Sequence, residues 1–162
     1  MGNELPWPPG IYVATGPRSL PSCFLRALCP ALKRGARLFW LDAGNSFDAY
    51  GASRAARALG LDPRAALRQV SIARPFNLFQ LETMVRSKLP AKWRGEPVVL
   101  SDPLPMLYDE DVPFREARRV FCSVLAGMRA LPAAWMVLAV DCRAPAGRER
   151  WLEEIVRLAK EE

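Results

Sequence analysis

The chain has 162 residues and a mass of 18.1 kDa, with 51% apolar and 25% charged residues, the usage of one ordinary globular domain and not of a disordered chain. It contains no histidine, which excludes His-based triads, His metal ligands and imidazole pH switches; its four cysteines (Cys23, Cys29, Cys122, Cys142) form no C-x-x-C pair, which argues against a zinc site or a thioredoxin-type dithiol. The net charge is +6, and 19 of the 23 basic residues are arginine, a balance that favours acidic partners such as nucleic acid and that a biased genome also produces.

Short apolar runs alternate with helix-period segments along nearly the whole length. The N-terminal stretch 1–9 is Pro-rich, without the apolar run of a signal peptide. Residues 11–15 (IYVAT), bounded by Pro9-Gly10 and Gly16-Pro17, predict a first strand. Residues 20–33 follow as a helix with apolar positions 24, 25, 28 and 32, ending on Lys33, Arg34 and Gly35, the cations and glycine that suit a helix C-terminus. Residues 37–41 (RLFWL) predict a second strand, 53–59 a helix closed by Gly60, and 63–68 a short helix opened by Pro63. The third strand is 70–73. A helix over 78–89 sets Leu78, Leu81, Met84, Val85 and Leu89 on one face, and 90–97 is a polar connector. Residues 98–100 and 135–140 give the fourth and fifth strands, with a long helix over 114–131 between them. A last helix spans 147–159, its polar side including Arg148 and its apolar stripe Trp151, Leu152, Ile155 and Val156. The four cysteines lie in apolar stretches, which predicts buried thiols. Repeated strand–helix units predict an α/β fold, a mostly parallel sheet of about five strands with helices on both faces. No run approaches the ~18 apolar residues of a membrane span, so a soluble, cytoplasmic protein with no membrane partner is expected.

In such sheets the chemistry collects where strands end. The first strand runs into a helix through Gly16, Pro17, Arg18, Ser19, Leu20, Pro21, Ser22 and Cys23, the location of a phosphate-binding loop of pattern G-x-x-x-x-G-K-[ST]. Pro21 stands at the second glycine, Ser22 at the lysine and Cys23 at the Ser/Thr. Proline removes an N–H that should point at a phosphate, serine removes the cation that should neutralise it, and cysteine is a poor Mg²⁺ ligand. The other strands end in Asp42, Asp102 and Asp141, residues equally suited to turns and to a metal.

From about Gly10 to Val140 the chain resembles the RecA/RadA recombinase core. Gly16-Pro17 with Ser19 looks like the start of that family's G-P-E-S-S-G-K-T loop. Asp42-Ala43 followed by Phe47-Asp48 is similar to its D-A-E-x-x-L-D segment, Ala73-Arg74-Pro75-Phe76-Asn77 to its A-R-A-F-N, and Val98-Val99-Leu100-Ser101-Asp102 with Leu107-Tyr108 to its Walker B strand and trailing D-S-x-x-A-L-Y. The resemblance implies a RecA-like three-layer core with Asp102 in the Walker B position. It also puts the family's water-activating glutamate on Gly44, its Walker lysine on Ser22 and the polar glutamine after the fifth strand on Cys142. An ATPase without its phosphate cation and base has lost the positioning that drives phosphoryl transfer. Residues 10–162 thus read as a single truncated RecA-like domain with no catalytic residues and a degenerate nucleotide loop of Gly16, Pro17, Arg18, Ser19 and Ser22.

The expected function is that of an inactive RecA-like accessory protein in DNA recombination or repair, binding DNA, a recombinase or another repair protein. Candidate nucleic-acid contacts are Arg54 and Arg57, at i and i+3, and Arg115, Arg118 and Arg119 beside the loop that the resemblance turns towards DNA. Arg64 and Arg68 form a further i, i+4 pair. Phe47, Tyr50, Phe76 and Tyr108 lie near strand ends as stacking candidates, with Phe76 expected in the core. The alternatives are a nucleotide-binding subunit completed in trans, with Arg18 the one cation in the loop, or a pure protein-interaction module. No cofactor is expected, ATP–Mg²⁺ being disfavoured by the loop.

Overall fold

The chain folds around a five-stranded sheet in which every strand pair is parallel, in the order β1-β5-β4-β2-β3. The computed structural model describes residues 7–158. The strands are β1 (Gly10–Gly16), β2 (Leu38–Asp42), β3 (Val70–Ala73), β4 (Val98–Ser101) and β5 (Ala134–Val140). The helices are α1 (Leu20–Lys33), α2 (Ala49–Ala58), α3 (Pro63–Leu67), α4 (Leu78–Thr83), α5 (Leu89–Lys92), α6 (Leu104–Leu107), α7 (Phe114–Ala130) and α8 (Arg150–Leu158).

Strand alternation divides the core into two layers. Leu38 and Trp40 of β2, Val99 of β4 and Leu138 of β5 face one side, where Leu25, Leu28 and Leu32 of α1 and Ala52 of α2 cover them. Leu41, Val98, Leu100, Trp135 and Val137 face the other, beneath α4, α7 and α8. The result is the three-layer α/β arrangement expected of a RecA-like core. Trp151 and Ile155 of α8 are buried in the second layer, so the apolar stripe of the last helix closes the sheet. Trp7 stacks on Phe24 at 5.9 Å, docking the end of the Pro-rich stretch on α1; residues 1–6 lie outside the described range. Among the described residues, no helix is long and apolar enough to cross a membrane.

Several boundaries and environments differ from expectation for identifiable reasons. Helix α2 begins at Ala49 and not at 53, because the Asp48 carboxylate accepts the Gly51 N–H at 2.8 Å and caps it. The helix after β3 does not stop at 89: a π-helical stretch (Met84–Lys88) joins α4 to α5. Pro90 sits in α5 without an N–H to donate, and the wider turn just before it relieves the clash its ring would make with a regular α backbone. The short α6 was not expected, and α8 starts at Arg150, three residues late. Arg148 is no solvated helix cation: it is 7% exposed and donates to the carbonyls of Leu107, at 2.7 Å, and Val112. Of the cysteines only Cys29 is buried; Cys23 and Cys122 are exposed and Cys142 is half-buried. Phe76, expected in the core, is 87% exposed.

Candidate functional site at the carboxyl ends of the strands

The ends of β2 and β3 are tied by Asp42. Its carboxylate is buried among backbone amides: Oδ1 accepts the Ser46 N–H at 2.8 Å, and Oδ2 accepts the Phe47 N–H at 3.2 Å. The Arg74 Nε donates to the same Oδ2 at 3.0 Å from just beyond β3. Two segments singled out in the sequence, Asp42 to Asp48 and Ala73 to Asn77, thus meet in one ion pair. The Ser46 hydroxyl lies 3.0 Å from that of Ser101, and the Ser101 carbonyl accepts the N–H groups of Ala43 and Gly44 at 3.0 and 3.1 Å, linking this loop to β4.

Asp102 follows β4 in a left-handed conformation, φ 51°, and its N–H donates to the Leu138 carbonyl at 2.7 Å. Its side chain is buried and Oδ1 has no hydrogen-bond partner. Burial pushes the carboxyl up to about 6, against a hydrogen bond from the Val140 backbone; the charge of Asp42 adds to the rise and Arg18 opposes it. A Cβ built on Gly44 would stand 2.5 Å from Asp102 Oδ2 and 2.6 Å from its Cβ. The space a side chain would need at position 44 is therefore filled by Asp102. The motif resemblance marks Gly44 only as a missing glutamate, and no local pattern announces this exclusion.

Gly16, Pro17 and Arg18 open into a cavity of about 670 Å³ lined also by Thr15, Asp141 and Leu152. Gly16 O accepts the Asp141 N–H at 2.7 Å, fixing the loop to the end of β5. Cys142 and Tyr108 lie within electrostatic reach of Asp102 and Asp141. Burial raises both of their pKa values, Asp102 and Asp141 raise them further, and Arg18 partly offsets the rise at Cys142. Arg18 thus faces a group of acids across the strand ends.

This loop is a poor fit to a nucleoside triphosphate. Pro17 and Pro21 carry no N–H, the Leu20 N–H is turned back to Pro17 O at 2.8 Å, and the Cys23 N–H donates to Ser19 O at 2.9 Å. Those four positions offer no amide to an anion nest, and Asp102 and Asp141 would repel the phosphates that Arg18 attracts. Among the described residues, no three His, Cys, Asp or Glu side chains gather as a metal site; Asp42 is already committed to Arg74 and two amides. Ser19 and Ser22 face the other way, into a separate groove between α1 and α2 that Arg54 also lines. Arg57 is exposed on α2; Arg115, Arg118 and Arg119 are exposed on α7, in the opposite layer. The proposed arginine contacts therefore form two separate groups. Tyr50 is 81% exposed, whereas Phe47 is buried and Tyr108 half-buried.

No protein-family model matches the chain, and no curated protein matches it.

Proposed function

We propose that the chain is a catalytically silent RecA-like accessory protein of DNA recombination or repair, acting by binding DNA or a recombinase. The observation that carries this reading is the Asp42–Arg74 ion pair. It joins two segments of the motif resemblance at neighbouring strand ends in a parallel sheet, where a RecA-like core would bring them together. The inward-turned amides of the loop and the Asp102-filled space at Gly44 support a binding role over hydrolysis, because Ser22 stands where the resemblance puts the Walker lysine and no side chain fits where it puts the water-activating base. The excess of arginine supplies the electrostatics of a phosphate-backbone ligand.

The test is fluorescence anisotropy of labelled single-stranded DNA across a salt titration, with and without Mg-ATP. The expected result is salt-dependent binding that ATP leaves unchanged. Binding that requires ATP would refute the silent loop. Absence of binding would remove the direct DNA role and leave recombinase binding, measured by co-sedimentation with a recombinase filament.

A further inference from the structure

The charge of this protein is segregated along the chain. Residues 1–74 hold ten of the 23 basic residues and four of the 17 acidic ones, so the entire net charge of +6 falls there; the 13 basic and 13 acidic residues of 75–162 cancel. The helices of that first part, α1, α2 and α3, form the single layer over one face of the sheet.

The acids on this layer are neutralised or engaged. Asp42 is buried against Arg74, the Asp48 carboxylate accepts the Gly51 N–H at 2.8 Å, and that of Asp62 accepts the Arg64 N–H at 3.0 Å. The cations are exposed: Arg26 on α1, Arg54 and Arg57 on α2, Arg64 and Arg68 around α3. Arg26 and Arg54 line opposite walls of a groove of about 590 Å³ between α1 and α2, which Ser19, Ser22 and the capping carboxylate of Asp48 also line. Tyr50, one helical turn before Arg54 on α2, presents an exposed ring on the same helix. The α7 cluster is different in kind, since Glu116 sits within Arg115, Arg118 and Arg119, and Asp109, Glu110 and Asp111 precede it.

We infer that the α1–α2–α3 layer is a binding surface for single-stranded nucleic acid, the phosphate backbone following the α1–α2 groove past Arg26 and Arg54 and a base stacking on Tyr50. The ligand class rests on the nucleic-acid reading above; the choice of face does not, and it differs from the α7 side to which the motif resemblance directs DNA. Arginine outnumbers lysine nine to one in residues 1–74, and a guanidinium fork suits phosphate oxygens. A positive groove with an aromatic platform is the usual means of holding an unpaired strand.

The experiment compares the full chain with R54Q/R57Q/R64Q/R68Q, Y50A and the opposite-layer control R115Q/R118Q/R119Q, using labelled oligo-dT, a duplex of equal length and phosphatidylserine vesicles. The quadruple variant is expected to lose roughly tenfold or more in oligo-dT affinity and to shallow the log–log salt slope by about 0.7 for each contact removed. Y50A is expected to lose about tenfold on oligo-dT and little on duplex. The control variant stays near wild type. If the quadruple variant does not fold, the pairs R54Q/R57Q and R64Q/R68Q are measured separately. Loss confined to the α7 variant would overturn the inference and leave the DNA-binding reading standing. Equal affinity for duplex, or arginine-dependent binding to vesicles alone, would also overturn it. No nucleic-acid binding by the wild type would sink both.

Discussion

Asp102 and Gly44 form a pair that neither position announces. A buried carboxyl whose pKa is lifted to about 6 takes up a proton on folding at pH values between there and about 4, where an unfolded aspartate titrates. The folded state therefore binds more protons than the unfolded between those values, and this group makes stability fall as pH rises from about 4 to 6 and level off above. Asp102→Asn removes the buried charge and keeps a residue that tolerates the left-handed backbone. It is expected to add about 1–3 kcal/mol at pH 7 and to flatten that slope in urea titrations; an unchanged slope would assign it to another group. Gly44→Ala drives a Cβ into Asp102 and is expected to cost about 1–3 kcal/mol. Asp102→Gly should recover most of the loss, because it empties that space, and a double-mutant cycle measures the coupling. In the sequence, Asp102 is visible as a strand-end acid and Gly44 as a turn residue. Their mutual exclusion arises only when the β2 loop folds over β4, and nothing local encodes it.

At the level of elements, the strands were the most legible part, because buried parallel strands read as short apolar runs between turn residues. All five observed strands fall within two residues of the expected bounds. Helix ends were less so, since they depend on single side chains: Asp48 moves the start of α2 back four residues. The continuation through Pro90 was hidden because proline normally argues for a stop, and only packing reveals the π-helical turn that accommodates it. That turn leans on α7 at Gly127, where an added Cβ would lie 2.8 Å from Val85 Cγ1 and 2.9 Å from Arg86 Cδ. Gly127→Ala is accordingly expected to cost about 1–3 kcal/mol, read by thermal denaturation. Arginine is seldom buried, so the sequence pattern alone places Arg148 on a helix surface. In the fold it braces the segment between α6 and α7 through two carbonyls, and Arg148→Met should cost about 2–3 kcal/mol by leaving both unpaired.

On the scale of the whole molecule, the alternating strand–helix order identified the α/β class, but pairing order is a property of packing and no periodicity in the chain encodes it. Charge behaved likewise: the total was plain from composition, while the gathering of exposed cations on α1, α2 and α3 required knowing which helices share a face of the sheet. The strand order also dictates when the molecule can be completed. Strands β2, β3 and β4 pair with one another within one stretch of chain, whereas β1, the edge strand opposite β3, has β5 as its neighbour, and Ile11 aligns with Trp135. Strand β1 must therefore wait for β5, synthesised more than a hundred residues later, before it gains this partner, and closing that long loop slows folding. Pulse-labelling hydrogen exchange during refolding should find the amides of Tyr12 and Ala14 protected later than those of Trp40 and Val99. Until that late step, a nascent chain carries an apolar strand with no partner, and its exposure to aggregation lasts as long as β5 is missing.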